Sequence, residues 1–156
     1  MKKSIIVLAT LFFGLVLFSC NDETPPTNEE LLTGITWIIK TKVINPPFSQ
    51  GGITVSDISV LETEDVKNNS YKFNTDGTLV LYNMSNEIIL QTNWSFNADE
   101  TKITLTPGIV NSYPIVGDIS LNFFYIDVIT ANQIVSTNPY LYDETNYVIT
   151  VTFLPK

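Results

Sequence analysis

An all-β fold, an antiparallel meander of about eight strands closing as a barrel, is what the sequence predicts for residues 31–156 of this 156-residue chain. Three observations carry that prediction. Apolar residues recur with period two along successive short segments. Tight-turn signals such as Asp76-Gly77, Asn97-Ala98-Asp99-Glu100 and Ala131-Asn132-Gln133 separate those segments. After one short helical turn near residue 30, no 3.6-residue periodicity returns.

The elements follow in order. Thr27 with Glu30 forms a capping-box pattern and Gly34 is a helix stop, so Asn28–Thr33 reads as one or two helical turns. Ile35, Trp37, Ile39 and Val43 then share an apolar face, with Thr36, Lys40 and Lys42 opposite, as on a half-buried strand. Asn45–Gly52, with its Pro pair and Gly pair, reads as a loop, Ile53–Leu61 as a second strand, and Glu62–Asn69 as a charged turn. Tyr71–Phe73 and Thr78–Tyr82 flank the Asp-Gly turn of a hairpin. Thr92, Trp94 and Phe96 begin a second unit, which returns through Lys102–Thr106 and is expected to end at Pro107-Gly108. A long strand over Ile119–Ile129 turns into Ile134–Thr137. The last strand, Tyr147–Leu154, places Tyr147, Ile149, Val151 and Phe153 on one face.

Ahead of this domain the chain has three zones. Lys2 and Lys3 give a positive start, and Ile5–Phe18 is an almost purely apolar run, shorter than the roughly 20 residues a membrane-spanning helix needs. The run ends in Leu17-Phe18-Ser19-Cys20, which resembles the lipobox of bacterial lipoproteins. That resemblance implies a signal peptide over residues 1–19, cleavage before Cys20, diacylglycerol on its sulfur and a further acyl chain such as palmitate on the new amino terminus. Each buried CH₂ contributes about 0.8 kcal/mol, so several chains on one residue hold a protein firmly at a membrane. Residues 20–30 are polar, acidic and Pro-containing, and are expected to form a solvated tether. Asp22 and Glu23 directly after the anchor resemble a surface-export signal, and read equally as plain spacer. The expected location is the bacterial outer membrane, on its periplasmic side or at the cell surface.

Composition narrows the chemistry. Two of the eight lysines lie in the leader, so the chain from Cys20 onward sets six lysines against sixteen carboxylates, a net charge of −10. An acidic surface without arginine argues against nucleic acid and anionic headgroups as partners. The absence of histidine excludes histidine-based triads, histidine general bases and imidazole metal sites. With Cys20 as the only cysteine, no disulfide framework exists. No cofactor, metal or enzymatic activity is expected, and a monomer is.

Four segments in order give the chain a family likeness: Leu31–Trp37, Tyr71–Thr78, Trp94–Thr101 and Tyr147–Phe153. Together they resemble the lipocalin-like domains of small bacterial outer-membrane lipoproteins, a group of largely unknown function. The resemblance implies a ligand-sized barrel behind a short helix and no shared catalytic residues. Two features depart from true lipocalins: Gly34-x-x-Trp37 is one residue longer than their Gly-x-Trp, and the arginine that packs over that tryptophan has no counterpart.

Candidate binding residues follow from the alternation. The interior is expected to include Ile39, Phe73, Trp94, Phe123 and Ile149, with Phe48 in the Asn45–Gly52 loop lining a mouth. Asp127 falls in phase with Leu121, Phe123 and Tyr125; inward it is a ligand anchor, and on a bulge or rim it is an ordinary surface carboxylate. Asn74-Thr75-Asp76-Gly77 offers two oxygen ligands toward a calcium loop and reads better as turn chemistry. The aromatics read as core, with sugar stacking the alternative, and the three Asn-x-Ser sequons are accidental in a bacterial lipoprotein. The expected function is non-enzymatic, with the barrel either binding a small, mainly apolar ligand or serving a structural role. The alternative is a surface β-sandwich module recognising glycans or protein partners through its loops.

Overall fold

The computed structural model describes residues 24–156. The expected signal peptide over residues 1–19, the expected lipidation site Cys20, and Asp22 and Glu23 therefore lie outside the described residues. A short helix, α1 (Asn28–Gly34), opens the domain. Thr27 accepts a hydrogen bond from the Glu30 backbone N–H while the Glu30 carboxylate accepts from the Thr27 N–H, completing the capping box. The helix is the one expected over Asn28–Thr33, and it takes in residues 28–30 at the end of the stretch read as tether. Leu32 is fully buried, and its carbonyl accepts from Trp37 Nε1 at 2.9 Å, which fixes the helix to the first strand.

Nine strands follow: β1 (Thr36–Gln50), β2 (Ile53–Asp57), β3 (Ser70–Phe73), β4 (Thr78–Tyr82), β5 (Ile88–Phe96), β6 (Lys102–Tyr113), β7 (Gly117–Ile129), β8 (Ile134–Tyr142) and β9 (Thr145–Pro155). A 3₁₀ turn (Ile58–Leu61) and a one-turn helix, α2 (Glu64–Lys67), connect β2 to β3. All pairings are antiparallel. Strands β3 to β9 run in sequence order and β9 returns to β1, from Trp37 opposite Pro155 to Asn45 opposite Val148. The sheet therefore closes into an eight-stranded barrel, with β2 as a ninth strand on the outer half of β1. Closure removes the sandwich alternative. A barrel of this size has room inside for side chains or one small ligand.

Several local expectations are corrected. Asn45–Gln50 is strand, not loop, and only Gly51-Gly52 turns into β2. The strand predicted over Ile53–Leu61 stops at Asp57, and Glu62–Asn69 contains a helical turn. β6 does not end at Pro107-Gly108 but bulges there and runs to Tyr113, and β8 continues to Tyr142.

Bulges also reverse side-chain phase, because a residue without a partner flips everything beyond it to the other face. On β1, Ile39 pairs with Phe153 and Thr41 with Thr152, leaving Lys40 as the extra residue. Beyond it Val43, expected inside, is 42% exposed, whereas Lys42, expected outside, is 5% exposed. On β7, the alternation breaks between Leu121 and Phe124, opposite the β6 bulge, where Gly108 approaches Asn122 too closely to accept a Cβ. It breaks again at Asp127, which has no partner between Ile126 and Val128.

Candidate functional site

The barrel encloses a cavity of about 50 Å³. Its walls are mainly apolar: Ile39 from β1, Phe73 from β3, Leu105 and Ile109 from β6, and Phe124 and Phe153 from β7 and β9 are among the side chains that line it. Ile58, on the 3₁₀ turn, adds an apolar contribution from outside the barrel strands and is 1% exposed.

Polar groups gather where the barrel wall is incomplete. The β1–β3 ladder stops at Ile38 and the β1–β2 ladder begins at Val43, so that edge of β1 has a gap. Asp57 partly fills it. Its Oδ1 accepts from the Lys42 backbone N–H at 3.2 Å and from the Ser59 N–H at 3.0 Å. Burial opposes the Asp57 charge, but the Ser59 and Lys42 hydrogen bonds outweigh it and hold the carboxyl below its ordinary value.

Glu62, the C-cap residue of the 3₁₀ turn, meets the Lys42 side chain. Its Oε1 bonds with Lys42 Nζ and accepts from Tyr113 Oη at 2.9 Å, while Lys42 Nζ also donates to Tyr113 Oη at 3.2 Å. Both charged side chains are only 6% exposed. Burial and the neighbouring Glu62 charge raise the pKa values of Tyr71 and Tyr113, keeping both phenols neutral.

Asn111 on β6 and Ser136 and Asn138 on β8 face the same cavity. Ser136 and Asn138 are 2% and 5% exposed, yet none of the three makes a side-chain hydrogen bond among the described residues. No fully enclosed side-chain nitrogen or oxygen there lacks a partner, so these polar atoms open onto the cavity itself. Ser136 and Lys42 both pair with Val151, on opposite sides of β9, and so sit on one level of the wall.

None of the four residues expected to bind lines this cavity. Phe48 is 1% exposed and packs against Tyr142 and Tyr147, with ring centroids 5.2 and 5.8 Å away. Trp94 is core: it makes edge-to-face contacts with Phe73 and Phe96 and donates Nε1 to the Asn74 carbonyl at 3.1 Å. Phe123 lies under Lys102, whose Nζ is 4.2 Å from the ring centroid, beside the 43%-exposed Tyr125. The cause is the break in β7 alternation, which sends Phe124 inward in its place. Asp127 is exposed at its bulge. Among the expected interior positions, Ile39, Phe73 and Ile149 do line the cavity.

The polar pole went unread in the sequence, and its two sides differ in how far they could have been found. Lys42 depends on a bulge that leaves no mark in the residue pattern. Ser136 and Asn138 had a legible signal, since both alternate in phase with Ile134 and Tyr140. Asp76, considered for calcium, accepts from the Thr78 N–H and hydroxyl as an ordinary turn residue. No cluster of three or more metal-ligating side chains occurs among the described residues. No protein-family model matches the chain, and no curated protein is significantly similar to it.

Proposed function

We propose that this chain is a non-enzymatic, lipid-anchored lipoprotein of the bacterial outer membrane whose lipocalin-like barrel binds a small, mainly apolar ligand in its interior. The observation that carries the proposal is an unfilled interior where apolar walls meet Asn138, a 5%-exposed amide without a protein partner. A barrel serving only as scaffold gains nothing from that arrangement. The Asn138 amide opens onto that space and gains a partner only from what occupies it, whereas leucine there would make the wall wholly apolar. Area burial, about 25 cal/mol per Å² of apolar surface, supplies the attraction for the ligand body. The anchoring part rests on Leu17-Phe18-Ser19-Cys20 behind Ile5–Phe18.

Two experiments test these parts separately. Metabolic labelling with a fatty-acid analogue should mark the wild-type protein and leave Cys20→Ser unmarked and uncut; label on the serine variant rejects the anchor. Native mass spectrometry of the acylated protein released from detergent should show an added small mass that dissociates on collisional activation. A protein that carries none, and takes up no apolar fluorescent probe saturably, is a structural barrel.

A further inference from the structure

Resting on the interior-binding proposal, we infer that the ligand is electrically neutral and compact, and carries a group that both donates and accepts hydrogen bonds, such as a primary amide or an alcohol. Charge decides the first property. Lys42, which lines the cavity, and Glu62, which backs it, neutralise each other and are equally enclosed, at 6% exposure each. A carboxylate ligand would add a second negative charge beside Glu62, and an ammonium a second positive one beside Lys42. In an enclosed apolar setting neither is offset by solvent.

The uncommitted hydrogen-bonding capacity decides the second property. Lys42 Nζ uses two of its three protons, on Glu62 and Tyr113, and Glu62 makes its bonds through Oε1 alone. One ammonium proton remains on Lys42, which lines the cavity. On the β8 and β6 walls, the amides of Asn138 and Asn111 and the Ser136 hydroxyl add donors and acceptors without partners among the described residues. The pole therefore offers both kinds of group, on two sides of one space. Ser136 and Lys42 stand two strands apart, about 10 Å between backbones at ~4.8 Å per strand. A group reaching between them must be small.

Space decides the third property. A water needs roughly 10–15 Å³ of such volume, so a cavity of about 50 Å³ accepts a body of only a few heavy atoms without displacing side chains. Long-chain acids are excluded by both size and charge.

Butyramide, butyrate and n-butylammonium are near-isosteric probes that differ in charge. Each is titrated into the full-length acylated protein in detergent, following the Asn111 and Asn138 side-chain amide resonances. Butyramide should shift both saturably and bind at least tenfold more tightly than either ion. Asn138→Leu should weaken butyramide at least tenfold while the backbone resonances keep their positions; if that variant does not fold, Ser136→Ala supplies the same comparison. Glu62→Gln leaves a net positive pole, and there butyrate should overtake butyramide. Tighter binding of either ion to the wild type, or unchanged butyramide affinity in the folded β8 variant, overturns the neutral-ligand inference and leaves interior binding standing. Failure of all three probes to shift any interior resonance rejects the interior-binding proposal with it.

Discussion

At the scale of single residues, the interior is governed by how an ammonium and a carboxylate are tolerated together among apolar neighbours. Lys42 Nζ and Glu62 Oε1 satisfy each other, and Tyr113 bonds to both. The desolvation of two charges roughly offsets their attraction, so the pair adds little net stability. Removing one partner is different, because the other charge stays enclosed without compensation. Lys42→Met should therefore destabilise the domain by about 3–5 kcal/mol, and Glu62→Leu by a comparable amount. The double variant should recover most of that loss, since an apolar pair of similar volume has no charge to desolvate. Urea denaturation of the four proteins measures the coupling. Additive losses in the double variant would show that the two groups do not act as a pair.

At the scale of elements, turns and bulges decide which side chains meet. The β3–β4 turn depends on Gly77, whose φ of 81° lies in the left-handed region and whose carbonyl accepts from the Trp94 N–H at 2.7 Å. An added Cβ would sit 3.4 Å from the Trp94 carbonyl oxygen, an ordinary contact, so the strain is in the backbone rather than in crowding. Gly77→Ala should cost about 1–2 kcal/mol, the penalty for an L-residue in that conformation; a thermal midpoint equal to wild type would show that the turn relaxes freely. This turn was legible in the sequence because Asp-Gly between alternating segments has one dominant structural solution. So were the Thr27–Glu30 capping box and the inward face of β9, which carries Ile149, Val151 and Phe153 without interruption. The Lys42 side of the polar pole was not legible, because it depends on irregularities. The extra residue Lys40 arises from the mismatch between β1 and β9 as the barrel closes, and nothing local to Thr36–Val43 announces it. The same holds for β7, where Phe123 and Phe124 are chemically equivalent in sequence and only the β6 bulge at Pro107-Gly108 decides which one points inward. A one-residue error in phase was enough to exchange a surface lysine for an interior one.

At the scale of the whole molecule, closure joins the two ends of the domain and distributes its titrating groups so that stability is bounded on both sides of neutrality. β1 pairs with β9 from Val148 to Pro155, and the Lys156 N–H bonds to the Thr36 carbonyl at 2.8 Å, so the barrel is complete only when this strand docks. On the acid side, Asp57 has its folded pKa lowered by the Ser59 and Lys42 hydrogen bonds. Its contribution is present above the unfolded value of about 3.9 and is lost as pH falls through the depressed folded value. On the alkaline side, Tyr71 and Tyr113 have folded pKa values raised by burial and by Glu62. The unfolded chain then releases protons at about pH 10 that the folded barrel retains, so stability is full below that pH and declines above it. Each tyrosine adds a slope of about 1.4 kcal/mol per pH unit in that window. Tyr71 separates this effect from structural loss. Its ring packs edge-to-face on Phe153, with centroids 5.7 Å apart, and its hydroxyl has no protein partner among the described residues. Tyr71→Phe should therefore keep the packing and unfold at nearly the wild-type urea midpoint at pH 7. Between pH 10 and 11.5 it should lose stability about a third less steeply than the wild type, because one of the three retained protons, those of Tyr71, Tyr113 and Tyr140, is gone. Urea midpoints at half-unit pH steps test this directly. Parallel alkaline slopes for the two proteins would mean that Tyr71 ionises as readily inside the barrel as in the unfolded chain, and that its hydroxyl reaches solvent through the gap beside β1.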